Sequence, residues 1–324
     1  VAPENDGGST ITSYVATSSP GSITGTLSQA GSGTITVTGL TGGTTYTFTV
    51  TAVNSIGTSA ASSASNSIIT DETIISATQQ AIFGFGGGAT TYLARTNKVS
   101  NTGVVSNDVN NVATGRNRLA AAGYGGDKAI FGFGFWRTVN NNYEGINTTN
   151  LVSNTGVVAS DTAGIGSHKF WLAAAGYGGD KAIFGFGTSP NDGDAPTSQT
   201  NLVSNTGVVS NDTTGVGSAR FGVAAAGYGG DKAIFGFGRI IGTTNTNGVN
   251  VSITNLVSNT GVVASDTAGV GLVRRYLAAA GYGGDKAIFG FGGTTITNLV
   301  SNTGVVATDT AGVGNSRSNL AAAG

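Results

Sequence analysis

The sequence predicts an all-β chain whose larger part is a closed ring of five sheets, a five-bladed β-propeller. A unit of about fifty residues is written five times, and the string Ala-Ile-Phe-Gly-Phe-Gly places its isoleucine at residues 82, 130, 183, 234 and 288. A second string, Ala-Ala-Ala-Gly, ends at residues 123, 176, 227, 281 and 324, so it is missing before the first copy and present after the fifth. A ring explains this offset, because the last segment can complete the first unit and cover two strand edges, whereas a linear stack needs capped ends.

Composition favours short strands and argues against several classes of function. The 55 glycines among 324 residues disfavour long helices. Charged residues make up 10% of the chain and the net charge is −1, so no nucleic-acid partner is expected. The lack of cysteine excludes disulfides and thiolate metal sites. No apolar run reaches ~18 residues, so no membrane insertion is expected.

Each repeat is expected to contain four antiparallel strands with two tight hairpins. In the second copy these are residues 119–123, 128–134 and 149–152, with a fourth strand from Val157. We expect the alanine strand to be innermost, because strands converge near the axis and only small side chains fit there. The Phe-Gly-Phe strings are expected to pack neighbouring blades together, and an aromatic binding stripe is the alternative.

Residues 1–70 differ from the repeats, since they are rich in Ser, Thr and Ala and alternate with the β period. Three strings resemble a fibronectin type III domain: Gly-Gly-Ser-Thr-Ile-Thr-Ser-Tyr at 7–14, Val-Thr-Gly-Leu-Thr-Gly-Gly-Thr-Thr-Tyr-Thr-Phe-Thr-Val at 37–50 and Ala-Val-Asn-Ser-Ile-Gly at 52–57. The resemblance implies a sandwich with Tyr46 as its tyrosine corner. It covers only the later strands, so the family's first strands would precede Val1. It also implies a spacer, joined through a linker at 71–80 to the repeats at 81–324.

The repeat resembles a kelch repeat over residues 81–324. The shared features are an arginine before the first strand, a glycine-rich end to the second strand and a period near fifty. It departs from that family in lacking the Tyr and Trp of the third and fourth strands. The near-identical copies are also similar to repeats in structural proteins of marine and cyanobacterial phages. That resemblance implies a virion surface or an extracellular location.

The copies differ in the connection between the second and third strands and in the approach to the alanine strand. Both places are expected on one face, with the uniform turns Gly-Gly-Asp and Ser-Asn-Thr-Gly on the other. Variation over an unvarying scaffold is typical of a binding surface, and neutral drift is the alternative. Rings on such a face suit sugar stacking or protein contacts, although about half of them are expected only to pack loops. The candidate ligand-binding residues are Trp136, Arg137, Tyr143, Phe170, Trp171, Phe221, Arg275 and Tyr276.

A basic residue precedes every alanine strand. A ring of such residues near the channel mouth is expected either to hold an anion or to pair with carboxylates of the outer strands. Repetition in every copy favours the pairing. The basic residues are Arg116, Lys169, Arg220, Arg274 and Arg317, and the carboxylates are Asp108, Asp161, Asp212, Asp266 and Asp309.

Catalytic groups are sparse. The single histidine, His168, excludes His-based triads and multi-histidine metal sites. The string Asn-Asp-Gly-Asp at 191–194 lacks the ligand spacing of a calcium loop. A glycosidase would have to use single-copy acids such as Glu144, Asp192 and Asp194, and nothing in the sequence brings these together. We therefore expect no catalytic residue, no metal and no cofactor.

These observations predict a non-enzymatic structural or adhesion protein of a virion or cell surface. Its variable face would bind a host glycan or a protein receptor, beside other virion or surface structural proteins. The alternative is a purely architectural decoration or packing module of a phage coat, a tail or an extracellular filament. A glycan-active enzyme is a distant alternative.

Overall fold

The computed structural model describes residues 2–40, 44–69, 81–87, 92–111, 113–137, 143–190, 193–241 and 248–322, with the backbone alone for Arg137 and Tyr143. The chain forms two compact units, Val1–Gln79 and Gln80–Gly324. The described residues contain β-strands and no α-helix, which confirms the all-β prediction. Accordingly, none of them belongs to a helix that would be long and apolar enough to cross a membrane.

The first unit is an antiparallel sheet of four strands in the order β2-β1-β3-β4. Its strands are β1 (Ser13–Ser19), β2 (Thr24–Leu27), β3 (Thr45–Val53) and β4 (Ile68–Ile69). One face carries the core, where Tyr14, Ala16 and Tyr46 are buried. The Tyr14 hydroxyl donates to the Ala30 carbonyl at 3.0 Å, which ties the segment after β2 to this face.

Serines at every third position cover one edge of β3. The N–H of Ser59 donates to the Ala52 carbonyl at 2.9 Å, and the Ser59 hydroxyl accepts from the Ala52 N–H at 3.0 Å. The same pair of bonds joins Ser62 to Val50 and Ser65 to Phe48. Side chains therefore satisfy an edge that would otherwise expose unpaired backbone groups.

The second unit has one antiparallel sheet of three strands in each repeat. In the second to fifth repeats the alanine strand is at one edge and the Phe-containing strand is in the middle. The third and fourth repeats add a short hairpin in the variable connection. The strands are β5 (Ala81–Gly87), β6 (Tyr92–Val99) and β7 (Val109–Asn110); β8 (Ala120–Tyr124), β9 (Lys128–Arg137) and β10 (Tyr143–Val152); β11 (Ala173–Tyr177), β12 (Lys181–Gly185), β13 (Thr188–Ser189), β14 (Ala195–Pro196) and β15 (Thr200–Val203); β16 (Ala224–Tyr228), β17 (Lys232–Gly236), β18 (Arg239–Ile240), β19 (Val249–Asn250) and β20 (Thr254–Val257); β21 (Ala278–Tyr282), β22 (Lys286–Gly290) and β23 (Thr297–Val300).

The sheets have three strands where the sequence predicts four. In the second to fifth repeats the chain returns antiparallel after the Ser-Asn-Thr-Gly turn but pairs only at isolated positions, such as Val152 with Val158, whereas in the first repeat it forms the two-residue strand β7. The Asn150 side chain donates to the Ala159 carbonyl at 3.1 Å and to the Asp161 carboxylate at 2.9 Å. The Asn150 side chain thus takes the place of backbone hydrogen bonds between the two segments. This replacement interrupts the predicted fourth strand.

Neighbouring repeats pack through the Phe-Gly-Phe strings, which confirms that prediction. The second Phe of one string contacts the first Phe of the next, as between Phe133 and Phe184, whose ring centroids are 5.2 Å apart. The intervening glycine makes room, because a Cβ on Gly132 would lie 2.7 Å from the Phe184 ring. The other pairs, all at 5.1 Å, are Phe85–Phe131, Phe186–Phe235 and Phe237–Phe289.

The alanine strands of successive repeats lie against one another, from β8 through β11 and β16 to β21. The Gly123 carbonyl oxygen is 3.7 Å from the Cβ position of Gly176, and that of Gly176 is 3.5 Å from the position on Gly227. A cavity of about 510 Å³ lies between these strands and is also lined by residues 81–85 and 320–322. Both ends of the repeat array therefore line one cavity.

We call the two ends that ring closure would join, in the first and the fifth repeat, the seam, and side chains there are more exposed than their counterparts inside the array. Phe83 is 51% exposed, whereas its counterparts in the other four repeats are at most 4% exposed. Tyr282 is 40% exposed, whereas its three counterparts are 4% exposed. Residues 320–322 form no strand with β5, and residues 323–324 lie outside the described part. The predicted closure thus falls partly outside the described residues.

Candidate functional site

The approach to each alanine strand has the same backbone in every repeat. A basic residue comes first, and two positions later comes a residue with a positive φ between 53° and 62°. This left-handed conformation costs about 1–2 kcal/mol for a residue with a side chain, so neighbouring contacts must offset it. We call these five residues the collar: Arg118, Trp171, Gly222, Tyr276 and Asn319.

Backbone hydrogen bonds link the collar from one repeat to the next. The Trp171 N–H donates to the Arg118 carbonyl at 3.0 Å, and the Gly222 N–H donates to the Trp171 carbonyl at 3.0 Å. The series continues with Tyr276 to Gly222 at 2.9 Å and Asn319 to Tyr276 at 2.9 Å. One repeated backbone therefore presents four different side chains and one glycine in succession.

A cavity of about 670 Å³ lies between the collar residues. Gly87, Asn117 and the apolar residues that start the alanine strands complete its lining. It adjoins the alanine-lined cavity, because Leu119, Leu277 and Leu320 border both. We call the alanine-lined cavity the central cavity, and the collar thus surrounds one of its mouths.

Five of the eight predicted ligand-binding residues come together at the collar, with Trp171 at their centre. The Trp171 ring is stacked on Phe221 at 5.3 Å, and it lies 5.6 Å from Tyr276 and 5.1 Å from Phe170. Gly222 makes room for Tyr276, since a Cβ there would lie 2.9 Å from its ring. Phe170 and Phe221 are buried, whereas Trp171 and Tyr276 are partly exposed. Two of these rings therefore pack the face and two form its surface.

Arginines lie over these rings. The Arg118 Cζ is 4.3 Å from the ring centroid of Trp171 and 4.6 Å from that of Phe135. The fifth predicted residue, Arg275, has its Cζ 5.0 Å from the ring centroid of Tyr276. Burial raises the pKa of the Tyr276 hydroxyl, while the charges of Arg275, Arg118 and Arg239 act in the opposite direction. Arg118 therefore belongs to the same surface, although the sequence did not single it out, and Arg239 pairs through its backbone with Phe221.

The other three predicted residues lie in the variable connection of the second repeat. Trp136 is opposite Glu144 in the hairpin of β9 and β10, and its indole N–H is buried with no hydrogen-bond partner among the described residues. Arg137 and Tyr143 pair through their backbones at the end of the same hairpin. Their side chains lie outside the described part, so their relation to the collar stays a prediction.

The basic residues before the collar are buried between repeats and not on an open surface. Arg116 is fully buried, its Cζ lies 4.3 Å from the Phe85 ring of the preceding repeat, and its guanidinium donates to Asn150 at 2.6 Å. The Asp161 carboxylate is 3.8 Å away. Burial lowers the pKa of Arg116 to about 10, against the opposing charge of Asp161. Lys169, Arg220 and Arg274 are buried in the same way, whereas Arg317 at the seam is exposed.

The opposite mouth of the central cavity is built from the uniform turns. Its lysines form ion pairs of 2.5–2.8 Å with the aspartates that precede them, so its charges are balanced. A cavity of about 440 Å³ lies here, lined by glycines and by Tyr124, Tyr177, Tyr228, Tyr282, Lys128, Lys181, Lys232 and Lys286. Among the described residues of the whole chain, no three His, Cys, Asp or Glu side chains lie together as a metal site requires.

Comparison with known proteins identifies the first unit only. No curated protein matches the chain. The kelch and phage resemblances of the repeats stay predictions. Residues 1–68 match the fibronectin type III domain, and such domains are common in extracellular and cell-surface proteins. The first 68 residues are therefore a fibronectin type III segment.

Proposed function

We propose that this chain is a non-enzymatic surface or virion protein that binds a glycan or protein receptor through the collar face. The fibronectin type III segment is its spacer, and the repeats form a five-bladed propeller related to kelch propellers. The observation that carries the proposal is the collar, where one repeated backbone holds five different residues around one end of the cavity. The opposite mouth repeats the same residues from copy to copy. Diversity confined to one mouth is what a binding face on a rigid scaffold requires.

Complementary groups on the two sides of the seam support ring closure. Gly290 corresponds to Gly132, which accommodates a Phe of the next repeat, yet only a Thr297 methyl lies within 4 Å of its Cβ position among the described residues. Phe83, half exposed on the first repeat, is the side chain that would fill this place. Closure would therefore bury a large ring on a site already shaped for it.

The collar bonds support closure as well. Four of them run in sequence from Arg118 to Asn319. A fifth, from the Arg118 N–H to the Asn319 carbonyl, would complete the circle. Arg317 would then approach Asn97 and Asp108 of the first repeat, the counterparts of the groups that bind Arg116.

An engineered disulfide tests closure, because the chain contains no cysteine. The double variant Ala322→Cys, Phe83→Cys would place thiols across the seam. The matched control is Ala121→Cys, Phe131→Cys, whose positions are paired neighbours in β8 and β9. We expect an intrachain crosslink in both variants after oxidation. A crosslink in the control alone, or one between chains at the seam, would contradict the ring.

Receptor binding is tested with a glycan array and with whole host cells. Trp171→Ala and Tyr276→Ala should each weaken binding at least about tenfold, because truncating a hot-spot aromatic residue costs about 2 kcal/mol or more. Lys232→Ala changes the opposite mouth and should leave binding intact. Binding that ignores both collar substitutions would remove the collar from the proposal. Wild-type protein that binds no glycan or cell would favour the architectural alternative, and turnover of a bound oligosaccharide would favour an enzyme.

A further inference from the structure

Three arginines at or beside the collar have no acceptor among the residues that the structure describes. Arg118, Arg239 and Arg275 take part in none of the ion pairs of the described residues, and their guanidinium groups donate no hydrogen bond there. The arginines inside the repeats differ, since Arg116 and Arg220 bind an asparagine and lie near an aspartate. The collar arginines therefore carry unused donors.

Aromatic contacts hold two of these groups in place. Arg118 lies against Phe135 and Trp171, and Arg275 lies against Tyr276. A guanidinium stacked on a ring keeps its N–H groups free at its edge, where they match the two oxygens of a carboxylate or sulfate. Less conformational entropy is lost on binding when the group is already held.

Among the described residues, no carboxylate forms an ion pair with these three arginines. The repeated aspartates are occupied elsewhere, as Asp212 is by Lys169 and Asp231 is by Lys232. Glu144 and Asp194, the described single-copy acids of the variable connections, form no ion pair among the described residues. The surplus of positive charge is therefore left for a ligand.

The shape of the mouth favours a saccharide over an extended acidic peptide. Approach segments from all the repeats border the cavity, so a ligand enters end-on. A terminal sugar enters in this way, whereas an extended peptide usually needs a groove or a free sheet edge. The volume of about 670 Å³ lies within the usual range for small-ligand pockets.

We infer that the collar binds an acidic saccharide, whose carboxylate or sulfate is held by Arg118 and Arg275 and whose ring lies against Trp171 or Tyr276. This inference rests on the proposed receptor-binding function. It narrows the ligand to an anionic sugar and adds Arg118 to the binding residues.

The test uses matched probes on the full chain. Titration calorimetry compares oligogalacturonate with its methyl ester, and dextran sulfate fragments with dextran, at low and at moderate salt. We expect an acidic form to bind at least about tenfold more tightly than its neutral partner and to weaken with salt, because charge-assisted hydrogen bonds are worth about 1.5–3 kcal/mol. Whether the carboxylated or the sulfated series shows the effect identifies the anion.

Variants separate specific recognition from general attraction. Arg275→Gln should weaken binding of the acidic probe at least about tenfold, since one charged hydrogen-bond donor is lost. Arg118→Lys keeps the positive charge but loses the two parallel N–H donors of the guanidinium. It should weaken binding of the carboxylated probe by a larger factor than the change from low to moderate salt does for the wild-type protein. Lys232→Gln removes the same charge at the opposite mouth and should change nothing. Thermal unfolding of each variant checks its fold.

Equal affinity for acidic and neutral partners would overturn the inference and leave the proposed function standing. So would binding of poly-glutamate with no saccharide bound. If Arg275→Gln and Lys232→Gln lose the same affinity for the acidic probe, the overall charge of the protein explains binding. That outcome would also overturn the inference. If no probe binds while host cells are still bound, the inference fails alone. If neither is bound, both proposals fail.

Discussion

The interfaces between consecutive repeats and the seam use the same kinds of residue to different degrees. Inside the array a Phe fills the space over a glycine, and a basic residue is buried beside an Asn and an Asp of its own repeat. At the seam Phe83 is half exposed, Arg317 is exposed and Tyr282 is 40% exposed. A three-stranded sheet buries little by itself, so each repeat depends on its neighbours for a core. The seam should therefore be the weakest interface of the unit.

The largest effect is expected from removing a buried cation. Arg220→Ala should lower the free energy of unfolding by about 3–5 kcal/mol, because it leaves buried polar partners uncompensated. Those partners are the Asn255 side chain and the Phe237 carbonyl, and the partly exposed Asp266 carboxylate lies 3.6 Å from the guanidinium. Arg317→Ala at the seam should cost much less, since that side chain is exposed.

Urea denaturation followed by tryptophan fluorescence measures this difference. Both tryptophans, Trp136 and Trp171, lie in the repeats, so the signal reports the second unit alone. Similar losses in the two variants would mean that Arg317 is buried in solution as its counterparts are.

A large effect is also expected from the interface rings. Phe235→Ala should cost about 3–5 kcal/mol, because this ring is fully buried against the preceding repeat. Phe83→Ala should cost less than half as much, since half of its ring already meets solvent. The same denaturation assay compares them. Equal costs would show a seam packed as tightly as the inner interfaces.

Glycines of the Ser-Asn-Thr-Gly turns give a smaller contrast. Gly207→Ala and Gly103→Ala both place a side chain at positive φ, at 85° and 79°, for about 1–2 kcal/mol. A Cβ on Gly207 would also lie 2.8 Å from Leu151 and 3.1 Å from Tyr124, whereas none of the described atoms is within 4 Å of one on Gly103. Gly207→Ala should therefore cost about 1–3 kcal/mol more. If the two cost the same, Tyr282 contacts Gly103 in solution.

The smallest effects are expected on the stability of the protein at acidic pH. Burial alone would raise the pKa of Asp212, but hydrogen bonds from Lys169 and the Ser167 N–H, the Lys169 charge and a bond from Asn201 outweigh it and lower the pKa. The folded pKa is thus below the unfolded value of about 3.9. The resulting stability is complete above that value and is lost as the pH falls through the lower folded pKa.

Asp212→Asn should therefore flatten the fall in urea midpoint below about pH 4. Asp231→Asn should hardly change it, although a hydrogen bond from Lys232 lowers the pKa of Asp231 too. That pair is exposed and salt screens it. If the urea midpoint depends on pH equally in both variants, groups other than Asp212 cause the loss of stability in acid.

The repeats made much of the fold predictable. A string that recurs in every copy is expected to form the same strand and the same contacts in every copy. The sheets and the contacts between Phe-Gly-Phe strings could therefore be predicted from the sequence. The interrupted fourth strand does not, because it depends on the Asn150 side chain replacing backbone bonds. A polar residue inside a strand pattern gives no sign of that choice.

The collar was predicted in part. Aromatic residues at variable positions pointed to Trp171 and Tyr276, which do meet. Arg118 was missed because its contact with Trp171 depends on a left-handed backbone, which residue spacing does not reveal. Aligning the copies on their basic residue would have offered one signal, since Arg118, Trp171 and Tyr276 then share a column.

The positive φ of the collar also limits how the mouth can diversify. Valine, isoleucine and threonine are strongly disfavoured in this conformation, and proline cannot adopt it, whereas glycine and asparagine adopt it readily. Homologous chains should therefore draw their collar residues from a restricted alphabet of glycine, asparagine, aspartate and unbranched or aromatic side chains. Within that set of residues each copy can be substituted independently. A few substitutions at collar positions would therefore change the binding surface many times over while the backbone stays the same.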